Sequence, residues 1–300
     1  MDHNHEARQL QCMEIVGGNQ AVSQEIQAPG LDAWVECRPH QYDTGGDIHY
    51  FSMCGSGRVT RLAIADVSGH GAEAADLAVW LRGMMRKHIN LLDQRRFARQ
   101  INQDFARRED RKGLTRFATV ALMTYFAPTD HLIVCNAGHP PPLWFSQRTG
   151  QWRWLEPEVP APGPSLRQET ARYLGRRVAN LPLGVVEGTE YVQFAVKLSP
   201  DDIVFVYTDG LVEARNPSGE MLRREGLLQL AQAGGIDGQP QSLAHRLLDA
   251  VDAYSGTRDH DDDLTVVAIR HTAEDPPPLS LGRLARVLPR MLGLGRFLRA

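Results

Sequence analysis

Apolar stretches of strand length follow one another in this sequence, and helical stretches fall between those runs rather than after each strand. Leu31–Arg38 and Asp47–Met53 flank a loop around Thr44-Gly45-Gly46, and Gly57–Val67 alternates before turning apolar at Leu62-Ala63-Ile64-Ala65. The spacing of Ala75, Leu77, Ala78, Leu81, Met84, Met85 and Ile89 predicts a helix over 72–92, with a second over 95–108. Ala118–Tyr125, Leu132–Asn136 and Leu143–Phe145 read as short strands, followed by Tyr191–Leu198 and Ile203–Tyr207. Helices are expected at Arg224–Ala233 and Ser242–Ala253, and a last strand at Leu264–Arg270. A parallel sheet needs a long crossover, usually a helix, between paired strands. This order therefore predicts an α+β fold with antiparallel sheets.

The main domain is expected over 31–271. Residues 1–30 are polar, broken at Gly17-Gly18-Asn19, and read as an N-terminal lead-in. Pro157, Pro160, Pro162 and Pro164 mark 156–170 as a flap or mobile surface loop. Pro276-Pro277-Pro278 closes the domain, and 272–300 form a Pro-rich linker and tail. In that tail Leu281, Leu284, Ala285, Leu288, Met291 and Leu292 share one helical face, opposite Arg283, Arg286 and Arg290. Such a basic amphipathic segment packs on its own domain or a second copy in a homodimer, lies on an anionic membrane, or enters a partner's groove. Pro289 should kink it.

Thirty-three basic residues against 36 acidic give a net charge of −3, which argues against a nucleic-acid binder. Cys12, Cys37, Cys54 and Cys135 are scattered without a CxxC pair, so neither a zinc knuckle nor a disulfide framework is expected. With no signal-like start and no long apolar run, a cytoplasmic chain is expected, with peripheral contact at the inner membrane face if the tail provides it.

Four aspartates each stand at the mouth of an apolar strand. Asp47 follows Gly45-Gly46, and Asp66 ends Leu62–Ala65 before Val67-Ser68-Gly69-His70-Gly71. Asp209 follows Ile203–Tyr207, and Asp262 precedes Leu264 within the acidic run 259–263. One such aspartate is usually a turn or cap residue. Four converging carboxylates would repel one another unless hard divalent cations such as Mg²⁺ or Mn²⁺ neutralise them. The pattern points to an oxygen-donor metal site without His or Cys ligands.

Asp43-Thr44-Gly45-Gly46-Asp47 and Ala65-Asp66-Val67-Ser68-Gly69-His70-Gly71 resemble the opening of the metal-dependent 2C-type Ser/Thr phosphatases, and more narrowly their bacterial SpoIIE-type branch. The likeness continues through Phe117-Ala118-Thr119, Asn136-Ala137-Gly138-His139-Pro140-Pro141-Pro142 and Leu181-Pro182-Leu183-Gly184. It ends with Tyr207-Thr208-Asp209-Gly210-Leu211-Val212-Glu213-Ala214 and Asp262-Asp263-Leu264-Thr265, in the family's order over residues 30–271.

The resemblance implies an αββα sandwich with two Mn²⁺ or Mg²⁺ ions at one sheet end. Asp66 would bridge them, Asp209 and Asp262 would bind the first, and Asp47 with the carbonyl of Val67 the second. Asp263 would stand behind these ligands, with the acidic run leaving the choice around Asp262 uncertain by one residue. A metal-bridging hydroxide would then attack phosphoserine or phosphothreonine in line, without a covalent phosphoenzyme. His70 is a candidate proton donor to the leaving alkoxide or a packing and capping residue, its spacing from Asp66 being two residues longer than in the Asp-Gly-His of eukaryotic relatives. His139 borders the active-site mouth or, the favoured reading, is a structural loop histidine, and no arginine clearly corresponds to the one that grips phosphate in those relatives. The implied substrate is a phosphoprotein of a partner-switching pathway, such as an anti-anti-sigma factor. The alternative is a phosphatase-like module that binds a phosphoprotein or membrane without turnover. A dinucleotide site at Ser68-Gly69-His70-Gly71 is disfavoured, since the GxGxxG spacing is missing.

Overall fold

The computed structural model describes residues 7–157, except 41, 55–56, 70, 89–90, 92 and 108–115, together with 179–276 and 278. His70, most of the expected flap and the tail beyond 278 lie outside the described residues. Two sheets stack face to face. One has seven strands in the order β1 (Arg8–Gln9), β3 (Val22–Ala28), β4 (Leu31–Arg38), β13 (Leu264–His271), β12 (Ile203–Tyr207), β9 (Leu143–Ser146) and β10 (Gln151–Trp154). The other has six: β11 (Gln193–Lys197), β8 (His131–Ala137), β7 (Ala118–Phe126), β6 (Val59–Val67), β5 (Thr44–Cys54) and β2 (Ile15–Gln20). Apart from β1 beside β3, the paired strands are antiparallel.

Why the central strands read as apolar runs follows from their two buried faces. In β6, Leu62 and Ile64 enter the layer between the sheets, while Ala63, Ala65 and Val67 face the helix layer. In β12, Val204 and Val206 face inward, and Ile203, Phe205 and Tyr207 face outward. The six-stranded sheet is covered by α1 (Ala72–Lys87) through Leu77, Leu81 and Met85 and by α2 (Gln94–Ala106) through Phe97, Ile101 and Phe105. The seven-stranded sheet is covered by α3 (Gly210–Glu213), α4 (Arg223–Ala233) and α5 (Pro240–Ser255), with Leu211, Leu227, Leu247 and Val251 on Trp34, Phe205 and Val266. The expected αββα sandwich is thus the observed fold. No helix among the described residues is long and apolar enough to cross a membrane.

Helix α1 ends at Lys87, short of the expected 92, and Asp93 begins α2 by accepting from the N–H groups of Arg95 and Arg96. The N-terminal stretch departs further from expectation. Residues 15–28 form strands β2 and β3, one in each sheet, rather than a lead-in outside the domain. Gly17-Gly18-Asn19, which reads as a break, is an irregularity in the pairing of β2 with β5. Gly17 has φ +145°, and a Cβ there would meet the His49 carbonyl oxygen at 2.2 Å. β2 is an edge strand and β3 is flanked on its outer side only by the two-residue β1, and both carry few large apolar residues, so the hydrophobic signal is weak.

Candidate active site

Antiparallel pairing brings the start of β5 and the end of β6 to one rim. Ile48 pairs with Ala65, which places Asp47 next to Asp66. Asp66 lies opposite Thr119 of β7, and facing residues in an antiparallel pair share a sheet face. In the other sheet Tyr207 pairs with Val266, so Asp209 and the pair Asp262-Asp263 leave β12 and β13 at the same end.

Hydrogen bonds tie the two rims together. Thr208 donates its hydroxyl to Asp47 Oδ2 at 2.7 Å across the sandwich. The Asp263 carboxylate accepts from the backbone N–H of Gly46 at 2.6 Å and of His40 at 2.6 Å. A Cβ on Gly45 would lie 2.4 Å from Asp263 Oδ2, so glycine is required for this approach. Asn19 of the misread N-terminal stretch donates to the Gly45 carbonyl at 2.9 Å and so braces the same turn.

The charges are crowded. Asp47 is only 1% exposed. Burial first, then the Asp66 charge, pushes its carboxyl well above the usual range, while the hydroxyls of Thr208 and Thr265 oppose the shift. Asp66 is pushed up to about 8 by burial and by the negative charges of Asp209, Asp262, Asp263 and Glu213. Asp209 is raised by burial and by Glu213. Asp262 is the exposed member, on the loop before β13.

Among the described residues no three His, Cys, Asp or Glu side chains form a ready cation cage. The fit to divalent cations rests instead on charge and donor chemistry. Asp66 stands in the field of four other acids, and a carboxylate there ionises readily only when a cation offsets them. All the candidate donors are hard oxygens, as Mn²⁺ and Mg²⁺ require. The site residues read from the sequence, Asp47, Asp66, Val67, Asp209 and Asp262, are gathered at this rim, whereas His70 lies outside the described residues.

His139 is buried just behind the rim, against Thr119, which faces Asp66 across β6 and β7. Its Nδ1 lies 2.8 Å from Thr119 Oγ1, its N–H donates to Asn136 Oδ1, and burial holds its pKa down to about 3. Three contributors escaped the sequence reading. Glu213 stands one α3 turn beyond Asp209, within a stretch already noted for the resemblance. Thr208 lies in the same stretch, but its bond to Asp47, like that of Asn19 to the Gly45 carbonyl, joins residues far apart in the chain, a pairing of which local sequence carries no signal.

This fold, with acids at one end of the sandwich, is that of the PP2C-type serine/threonine protein phosphatases. The RsbU and RsbW domains of a Mycobacterium tuberculosis protein match with TM-score 0.62 at 24% identity, over 92% of this chain and 71% of that one. The PP2C phosphatase domain and regulatory fragment of the Bacillus subtilis cell fate determinant SpoIIE match with TM-score 0.57 at 18% identity, over 87% and 64%. The catalytic domain of the serine/threonine phosphatase PstP, in complex with 2 manganese ions, matches with TM-score 0.53 at 16% identity, over 81% and 98%. The family described as Stage II sporulation protein E (SpoIIE) matches residues 56–272, and the chain belongs to it.

Proposed function

We propose that this chain hydrolyses phosphoserine or phosphothreonine in a protein substrate, with two Mn²⁺ or Mg²⁺ ions held by Asp47, Asp66, Asp209, Asp262 and the carbonyl of Val67. The observation that carries the reading is the convergence of Asp47, Asp66, Asp209 and Asp262 from two sheets at one rim, where burial and neighbouring acids raise the Asp66 carboxyl. Divalent cations bound there would activate water and neutralise phosphoryl charge, so no side-chain nucleophile is needed. The chain's own part is placement. Asp66 comes from one sheet, Asp209 and Asp262 from the other, and an ion shared between them would join the two rims. Asp47 is held by Thr208, and Asp263 fixes the β5 turn through Gly46 and His40. The exposed position of Asp262 leaves the rim accessible to a phosphorylated side chain.

The two manganese ions in the PstP structure support the choice of metal. Likeness to RsbU and SpoIIE domains supports a phosphoprotein of a partner-switching pathway as substrate, of the anti-anti-sigma type. Turnover of phosphoserine and phosphothreonine peptides should be compared with that of a nucleotide at equal Mn²⁺. The expected kcat/KM favours a peptide by at least about tenfold. Preference for the nucleotide would redirect the assignment to small phosphoesters.

A further inference from the structure

We propose that Thr208 is a positioning residue that fixes how Asp47 presents its carboxylate to a divalent cation. This inference rests on the metal-site reading above and adds a residue that binds neither metal nor substrate. Thr208 is fully buried between the end of β12 and the start of β5. Its oxygen accepts the backbone N–H of Thr265 at 2.9 Å. Its own N–H donates to the Thr265 carbonyl at 3.0 Å, joining β12 and β13 beyond their regular ladder.

The hydroxyl has one proton to give. Two acceptors lie within range: Asp47 Oδ2 at 2.7 Å and the Thr265 carbonyl at 3.4 Å. The shorter contact to a potential anion is the stronger one, and the carbonyl already accepts the Thr208 N–H. Because Thr265 N–H engages the oxygen, the proton is directed at Asp47. Oδ2 is thereby held toward the seven-stranded sheet, where the Thr265 hydroxyl also acts on the Asp47 carboxyl, and this sets the orientation in which the group would meet a cation. The same bond compensates part of the cost of ionising a carboxyl that is 1% exposed. It also ties the β5 rim to the β12 rim, alongside the bonds that the Gly46 and His40 N–H groups make to Asp263.

Residues behind metal ligands typically change metal affinity by about 10–100-fold when removed. Thr208→Val keeps the shape and deletes the hydroxyl; Thr208→Ser keeps the hydroxyl and deletes a methyl. Mn²⁺ binding is measured by titration calorimetry on the EDTA-stripped full chain, alongside KM for p-nitrophenyl phosphate at saturating Mn²⁺. Thr208→Val is expected to weaken Mn²⁺ binding by about 10–100-fold with KM little changed, and Thr208→Ser to remain within about threefold of wild type. Wild-type affinity in a folded Thr208→Val would overturn the inference. If Thr208→Val does not fold, the serine variant decides: an equal tenfold loss there would show that packing, and not the hydroxyl, sets the site. Absence of Mn²⁺ binding by the wild-type chain would instead overturn the metal-site reading itself.

Discussion

β12 has an aspartate near each end, and their surroundings are opposite. Asp202, just before the strand, is 1% exposed. Its carboxylate accepts from Trp144 Nε1 at 3.2 Å, Gln147 N–H at 2.8 Å and Ser199 N–H at 2.9 Å. Asp209, two residues past the other end, lies in the field of Glu213 and Asp66 and is pushed up by burial and the Glu213 charge, with only its own and the Gly210 backbone N–H opposing. The first carboxylate has donors from three places in the chain, enough to hold an anion in the interior. The second is set among other acids, an arrangement that makes sense when a cation completes it. Burial alone does not distinguish a structural aspartate from a candidate metal ligand; the neighbours do.

Substitution at the two ends should break this comparison most sharply. Asp209→Asn is expected to lower metal-dependent turnover by about 10³-fold or more while the protein stays folded. Asp202→Ala is expected to leave the site chemistry in place but to cost about 3 kcal/mol of stability, because it strands buried donors. Denaturant unfolding and ester hydrolysis on both variants check the pair. Equal loss of activity without loss of stability at Asp202 would remove the distinction.

Gly45→Ala comes next. Its Cβ would fall 2.4 Å from Asp263 Oδ2, so the β5 start must shift away from the carboxylate that fixes it. A stability loss of about 1–3 kcal/mol and weaker Mn²⁺ activation are expected, read from unfolding curves and Mn²⁺ titrations. Wild-type behaviour would show that the close approach is not needed.

The acidic cluster also predicts a pH dependence for metal-free protein. Asp47 and Asp66 have raised folded-state pKa values, so the folded state holds protons that the unfolded chain has released. That stability is present at low pH and is lost as pH rises toward and through about 8. His49 and His139, lowered by burial to about 4 and about 3, act in the opposite sense: their contribution is present above the ordinary value of 6.5 and is lost as pH falls through the folded values. Between pH 6.5 and 8 the carboxylates therefore set the slope. The melting temperature in EDTA should fall across that interval and stay nearly level in Mn²⁺; parallel slopes would contradict the clustered charges. The smallest effect is expected at Asn19→Ala, about 1 kcal/mol for its bond to the Gly45 carbonyl, measurable by denaturant unfolding.

Much of this architecture is legible in the chain. β6, β12 and β13 appear as apolar runs because both faces are buried, and the four acids at strand mouths are visible by position. The edges are less legible: β10 is only Gln151–Trp154, with Trp152 buried on the helix side and Gln151 and Arg153 exposed. β2 carries a glycine-rich irregularity that mimics a break. The motif marks Asp209 in the sequence, but what separates it physically from Asp202 is supplied by Trp144, Gln147 and Ser199 on one side and by Asp66 and Glu213 on the other. The Thr208–Asp47 bond joins residues 161 positions apart, beyond any local pattern.

The most direct test is p-nitrophenyl phosphate hydrolysis by the full chain in EDTA, Mg²⁺ and Mn²⁺, with Asp209→Asn and Asp202→Asn beside the wild type. The account predicts turnover that requires a divalent cation, disappears in Asp209→Asn and persists in Asp202→Asn. Turnover undiminished by EDTA, or retained in Asp209→Asn, would contradict it.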